Sequence, residues 1–366
     1  MTKVTIDKYT GCLLGGAIGD AMGAPIEFLT LQQIRSIYGQ HGITDYVEFP
    51  DHTGEFTDDT QMTLFTSEAL LRACHRSMIK GIGGALTNIA HQSYLRWLHT
   101  QHTGIDAGNM NMAKLVETGW LVQEKGLYKR RSPGNTCIMS LSSGVAGSIE
   151  HPINNSKGCG TIMRSAPVGL MFFGDAKQSF QVACELSAIT HGHPTGYLSA
   201  GFFASVISDL SVGVQLIEAI HHAKEILKKW KRCEETLHAV EAALDLFDKT
   251  KANKADLAPE TVEKLGQGWV AEEALSIALY SSLLFEDDFE NGILFSVNHS
   301  GDSDSTGSIT GNILGLINGI KTIPSGWIDN LRDNWIVKQV GEDLHLRVKG
   351  SSDNPDDEWW NKYPGF

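Results

Sequence analysis

The chain has no run of about 18 uninterrupted apolar residues, the least that a membrane-spanning helix needs, and Met1 leads into a polar, charged stretch rather than a secretory leader. A cytoplasmic protein without a membrane partner is the expectation. No Cys-x-x-Cys pair occurs. The six cysteines (Cys12, Cys74, Cys137, Cys159, Cys184 and Cys233) are scattered, which argues against a zinc knuckle or a disulfide framework and for reduced, mostly core thiols. Positive charge is also scarce, with 30 Lys and Arg against 43 Asp and Glu and a net charge of -13. Such a surface repels nucleic acid, and the short basic runs at 129–131 and 228–231 do not make the patch that nucleic-acid binders carry.

Strand-like alternation is missing too. Apolar residues recur at helical spacing, as in Met62, Phe65, Ala69 and Ala73, or Ile309, Ile313, Ile317 and Ile320. The spacing predicts helices over roughly 8–23, 84–100, 176–190, 196–230, 233–248 and 268–284. The length of 366 residues fits one large domain or two smaller ones. The polar stretch at 247–268 brings no shift of composition and reads as a connection inside one all-α domain. Two helices carry glycine every fourth residue: Gly11, Gly15, Gly19 and Gly23, then Gly307, Gly311, Gly315 and Gly319. Each glycine costs about 1 kcal/mol of helix propensity relative to alanine, so close packing against neighbours or against one another is expected to offset it.

Two acidic clusters stand out. "HSGDSDSTGSITG" (299–311) places Asp302 and Asp304 ahead of an apolar helix, and "GEFTDDTQM" (54–62) places Thr57, Asp58 and Asp59 ahead of another. Asp302, Asp304, Thr306 and Gly307 start like a calcium loop, but Ile313 stands where that loop needs its bidentate glutamate. Helix capping explains one such residue at each place, not three or four. Should the clusters meet, four carboxylates would require cations. Carboxylate and hydroxyl oxygens as donors favour Mg²⁺ or Mn²⁺ over Zn²⁺, and four carboxylates suit two ions.

Two further segments are weaker. "NNSKGCGTIMRSAPVG" (154–169) could fold Gly158 and Gly160 into an anion nest, with charge from Lys157 or Arg164, but it is neither a Walker loop nor a dinucleotide fingerprint. "THGHPTGY" (190–197) offers His191 and His193, too few for zinc, for lining a ribose or base pocket or for capping a helix.

Taken in order, "GCLLGGAIGDAMGAPIEF", "GEFTDDTQM", "GCGTIMRSAPVGL", "THGHP" and "NHSGDSDSTGSITGNILGLINGI" with "IPSGW" resemble the ADP-ribosylglycohydrolase family. The motifs span 11–327, within a single domain of 1–366 whose residues 328–366 form a C-terminal extension. The resemblance implies an all-α orthogonal helical bundle with two Mg²⁺ or Mn²⁺ ions that removes ADP-ribose from a modified protein. It implies metal ligation by Thr57, Asp58, Asp59, Asp302, Asp304 and Ser305, with Glu27, Asp58 or Asp59 assisting proton transfer. Gly158, Cys159, Gly160 and Thr161 would wrap the diphosphate, and His191 would line the cleft. The segment 94–110 resembles the part of arginine-specific bacterial members where an aspartate, here Asp106, faces the guanidinium, to which a carboxylate can pair in bidentate fashion. Reversal of a regulatory modification and immunity to a cognate ADP-ribosyltransferase toxin use the same chemistry. Serine-linked or O-acetyl-ADP-ribose hydrolysis, a silent ADP-ribose binder and a two-metal phosphohydrolase are the alternatives.

Overall fold

The helices that build the core and carry the site are α1 (Ile6–Gly23), α2 (Asp58–Lys80), α3 (Leu86–Thr100), α4 (Ala176–Ala188), α5 (Pro194–Ser211), α6 (Ala271–Leu284), α7 (Phe289–Val297), α8 (Ser303–Asn318) and α9 (Asn334–Val348). They come from a computed structural model that describes residues 4–48, 53–101, 115, 118–253, 257–348 and 357–365. Asp106 lies outside the described residues. Among them there is no strand, only an isolated bridge between Gly158 and Val270, and no helix is long and apolar enough to cross a membrane. All six cysteines are free thiols.

The two glycine stripes pack on each other. A Cβ on Gly15 would lie 2.3 Å from the Gly311 carbonyl oxygen, one on Gly19 would lie 2.0 Å from that of Gly307, and one on Gly315 would lie 2.1 Å from that of Gly11. The pairing is antiparallel, with the backbones of α1 and α8 in contact and no room for any side chain. Asn312 donates from Nδ2 to the Cys12 carbonyl across the seam (2.8 Å). The register has a consequence beyond packing. Because Gly19 meets Gly307 and Gly23 meets Ser303, the C-terminal turns of α1, with Asp20, are brought to the N-terminal turn of α8, with Asp302 and Asp304.

Around this seam the other helices follow their sequence signals. Thr5 caps α1, accepting from the Lys8 N–H (3.4 Å). Every residue of α5 is buried, as expected of a helix that is apolar or small on all sides and therefore central. The predicted helix over 196–230 is divided, because Gly213 adopts φ +87° and turns the chain between Ser211 and Leu216. The helix expected over 233–248 extends from Glu234 to Ala252, and so takes the first residues of the polar stretch. The C-terminal extension is built into the core. Gly341 of α9 packs on the backbone of Thr10, and Ile336, Val337, Val340 and Leu344 are buried. Beyond α9, buried Tyr363 donates its hydroxyl to Asp343 Oδ2 (2.6 Å), and its carbonyl meets His75 Nδ1 (2.8 Å).

Candidate active site

Helix starts place the acidic residues. Thr57 caps α2, its Oγ1 accepting from the Asp59 N–H (3.3 Å), so Asp58 and Asp59 stand in the first turn of the helix rather than ahead of it. Asp302 caps α8, its Oδ1 accepting from the Ser305 N–H (3.4 Å). Asp304 Oδ1 accepts from the same N–H at 2.9 Å. Both clusters therefore do cap helices, and each has carboxylates to spare. Two positive helix ends converge on the negative cluster, an arrangement that favours anionic side chains.

The two clusters meet. Glu27, Asp58, Asp59, Asp302, Asp304 and Ser305 line one cleft of about 320 Å³, together with Gly158, Cys159, Gly160 and His191. One carboxylate oxygen from each of Glu27, Asp302 and Asp304 lies within 4.8 Å of the others. Asp58 Oδ2 accepts from the Gly134 N–H (3.2 Å). By contrast, the buried Oδ2 of Asp59 and Oε2 of Glu27 have no hydrogen-bond partner.

Asp20 joins α1 to this cluster, although it carried no signal of its own in the sequence. Fully buried, it accepts from the Thr57 N–H (2.9 Å), the Thr60 N–H (3.0 Å) and the Thr60 hydroxyl (2.6 Å). It thus fixes the first turn of α2 to the glycine seam. The one available clue was a carboxylate set among glycines and apolar residues in "GGAIGDAMG".

Crowding and burial act together on the carboxyls. Glu27 is pushed up to about 9 and Asp20 to about 7, each by burial first and by the charge of Asp304 second. Asp58, Asp59 and Asp302 are held well above the usual carboxylate range, and Asp304 is raised, with burial the main cause throughout. No Lys or Arg lines the cleft among the described residues. A buried group of oxygen donors with no internal counterion and unpartnered oxygens fits hard divalent cations such as Mg²⁺ or Mn²⁺.

The remaining cleft residues depart in part from expectation. Lys157 pairs with Glu235 and Glu272 instead of facing the cleft. Arg164 is buried over the Tyr94 ring (4.4 Å) and donates to Thr190 Oγ1 (2.7 Å). Neither adds charge to the Gly158 loop, because each has partners elsewhere. Two N–H groups of that loop are also engaged internally, Gly158 on Ser156 Oγ (3.3 Å) and Cys159 on the Trp269 carbonyl (3.2 Å). Thr161 turns its hydroxyl inward to the Gly196 carbonyl (2.8 Å). The Cys159 thiol donates to Asp302 Oδ2 (2.8 Å).

The histidine pair divides its two expected roles. His193 caps α5, while His191 lines the cleft, against which Gly158 and Gly160 pack without side chains. Burial first and the nearby Arg164 charge second hold His191 neutral, down to about 3. Asn154, which the sequence did not single out, ties the two loops: its Oδ1 accepts from the N–H groups of Ser156 (2.9 Å) and Gly192 (3.1 Å).

Comparison with known proteins identifies the family and the fold. The ADP-ribosylglycohydrolase family pattern matches residues 1–354, and the chain belongs to that family. It is similar to the ADP-ribosyl-[dinitrogen reductase] glycohydrolase of Rhodospirillum rubrum, with 25% identity over 89% of this chain and 90% of the relative. It is also similar to the ADP-ribosylarginine hydrolase Tri1 of Serratia proteamaculans (24%, over 93% and 79%) and to the ADP-ribosylhydrolase ARH3 of Bos taurus (22%, over 93% of each). A solved structure described as an ADP-ribosylglycohydrolase-related protein complex shares the fold, with a TM-score of 0.59 at 21% identity over 94% of this chain and 98% of the other.

Proposed function

We propose that the protein hydrolyses the bond between C1 of ADP-ribose and an arginine side chain of a modified protein, using divalent cations held by Asp58, Asp59, Asp302 and Asp304 with Thr57 and Ser305. The observation that carries the reading is the meeting of both acidic clusters in one cleft with no Lys or Arg in its lining among the described residues. Bound there, Mg²⁺ or Mn²⁺ would supply electrostatic grip on ribose oxygens and a more acidic water.

The chain's own residues account for the rest. In the hydrolysis the C1–N bond breaks, the water oxygen bonds to C1, and the proton given up by water goes to the departing guanidine nitrogen. Glu27, whose carboxylate lies beside those of Asp302 and Asp304, would carry that proton. Asp58 and Asp59 are alternatives for the same role. Gly158, Cys159 and Gly160 bring backbone close to the ligand, and neutral His191 lines the cleft without offering a competing charge. Binding energy from the ADP moiety would orient the bond to be broken. Asp106 is proposed to face the guanidinium.

The similarity to an ADP-ribosylarginine hydrolase and to a dinitrogen-reductase glycohydrolase supports arginine as the acceptor. Whether the modification is regulatory or comes from a cognate toxin is a matter of the partner protein, and the same site serves both. The test is incubation with arginine-linked and serine-linked ADP-ribosylated proteins, with Mg²⁺ or with chelator. Release of intact ADP-ribose from the arginine linkage, abolished by chelator, is expected. Release from neither substrate overturns the reading, and a split diphosphate would indicate phosphohydrolysis.

A further inference from the structure

The residue after Glu27 is a phenylalanine in a conformation phenylalanine rarely adopts. Phe28 has φ +70° and is 68% exposed. A left-handed backbone at a bulky residue persists only where the surroundings impose it, and such residues cluster at functional sites. Here the strain places the ring flat on Trp269, with centroids 5.1 Å apart and planes at 24°. Both residues line the cleft.

Their position along the cleft follows from the chain. Phe28 adjoins Glu27. Trp269 follows Gly268, which packs against Asp302, and the Gln267 carbonyl accepts the Asp302 N–H (2.8 Å). The stacked pair therefore sits at the carboxylate end, where the scissile bond and its acceptor belong. The indole is fixed, since Nε1–H donates to Gln267 Oε1 (3.2 Å) and the Trp269 carbonyl holds the Cys159 N–H. Core packing does not account for the pair: the buried residue of this turn is Ile26.

We infer that Phe28 and Trp269 form a platform on which the acceptor's guanidinium stacks, making them specificity-determining residues for arginine. The inference rests on the function proposed above. A planar cation gains from the ring's electron-rich face and from stacking of the flat guanidinium on it. A neutral serine linkage gains from neither.

The experiment compares wild type with Phe28→Leu, Phe28→Gly and Trp269→Leu in two measurements, in Mg²⁺. In hydrolysis, kcat/KM for an arginine-linked ADP-ribosyl peptide should fall by about tenfold in the variants, and that for a serine-linked peptide by no more than about twofold. Phe28→Gly removes the ring and the backbone strain together, so an unchanged or higher Tm with the same loss separates recognition from folding. In binding, ligand-observed NMR of agmatine should show line broadening by wild type that is lost in Phe28→Leu and Trp269→Leu. Equal losses on both linkages, or agmatine broadened alike by all the proteins, overturn the platform. Agmatine binding that depends on the two rings, with no hydrolysis of either linkage, supports the platform and overturns only the proposed hydrolysis.

Discussion

Helix α2 carries two buried acidic sites, about 14 Å apart along its axis at 1.5 Å per residue, which the fold treats in opposite ways. At its N-terminus Asp58 and Asp59 face Glu27, Asp302 and Asp304 with no cationic side chain lining the cleft among the described residues. Further along, Glu68 is fully buried yet held by two arginines. Arg72 Nη2 donates to Oε1 (3.0 Å), and Arg96 Nε donates to Oε2 (2.9 Å). Arg72 also donates to the Thr118 and Pro364 carbonyls (2.8 and 3.1 Å), so this pairing ties α2 and α3 to the C-terminal segment. Burial alone would push the Glu68 carboxyl up, but the two guanidinium groups outweigh it and hold it below its usual range. The carboxyls at the N-terminus stay raised. Charge that serves the fold is thus neutralised within the chain, whereas the cleft's carboxylates lack a cationic side chain among the described residues, as the proposed cation binding requires.

The sharpest way to break this contrast is to remove one acid from each site. Asp304→Asn keeps an oxygen for the Ser305 N–H but removes a charge, and Asp302→Ala removes both. Each should lower hydrolysis by about 10³-fold or more, of the order of losing an electrostatic catalytic group. Metal-free Asp304→Asn should meanwhile melt at or above the wild-type temperature, since repulsion is relieved. Glu68→Gln should do the reverse, costing about 3–5 kcal/mol by leaving two buried guanidinium groups without their anion. A chelator-treated Asp304→Asn that melts well below wild type would show that the acidic cluster holds the fold together after all. Activity unchanged in both Asp302→Ala and Asp304→Asn would overturn the proposed ligand set.

Occupancy gives a smaller effect with the same logic. A divalent ion that binds only the folded protein stabilises it by about 2.7 kcal/mol at a concentration 100 times its Kd. Mg²⁺ or Mn²⁺ should therefore raise the wild-type Tm by a few degrees, leave Glu68→Gln with the same increment from a lower starting point, and shift Asp304→Asn little. An equal shift in all three would place the ion elsewhere.

How much of this was legible in the sequence depends on whether the signal was periodic. The four-residue glycine stripes could be read because a helix has a fixed period, and their mutual packing then determined that the ends of α1 and α8 share a site. Thr57, Asp58, Asp59, Asp302, Asp304 and Ser305 could be singled out because more acids and hydroxyls preceded each helix than one cap consumes. Their meeting could not be read from spacing, since it depends on the register Gly19 to Gly307 across nearly 300 residues. Asp20, Asn154, Phe28 and Trp269 are single residues whose roles arise only from tertiary neighbours. The charges assigned to Lys157 and Arg164 failed for the same reason: Glu235, Glu272 and Thr190 are distant partners that no local pattern announces.

The gentlest separation of the two sites is by pH, because their shifts have opposite signs. Glu27, near 9, and Asp20, near 7, keep protons in the folded protein that the unfolded chain has released at ordinary carboxylate values. Their contribution to stability is complete below about pH 4 and is lost as pH rises through those folded values. Glu68, with its lowered value, contributes above the ordinary carboxylate range and loses that contribution only as pH falls toward its folded value. In chelator, the unfolding free energy should accordingly decline between pH 6 and pH 9, by up to about 1.4 kcal/mol per pH unit for each proton involved. Glu68→Gln should leave that slope unchanged, since Glu68 titrates in a lower window. Saturating Mg²⁺ should flatten it, because cations then take the place of the protons. Urea unfolding at pH 6 and pH 9, with and without Mg²⁺, measures all of these, and a metal-free protein more stable at pH 9 than at pH 6 would mean that the acidic cleft is not proton-loaded.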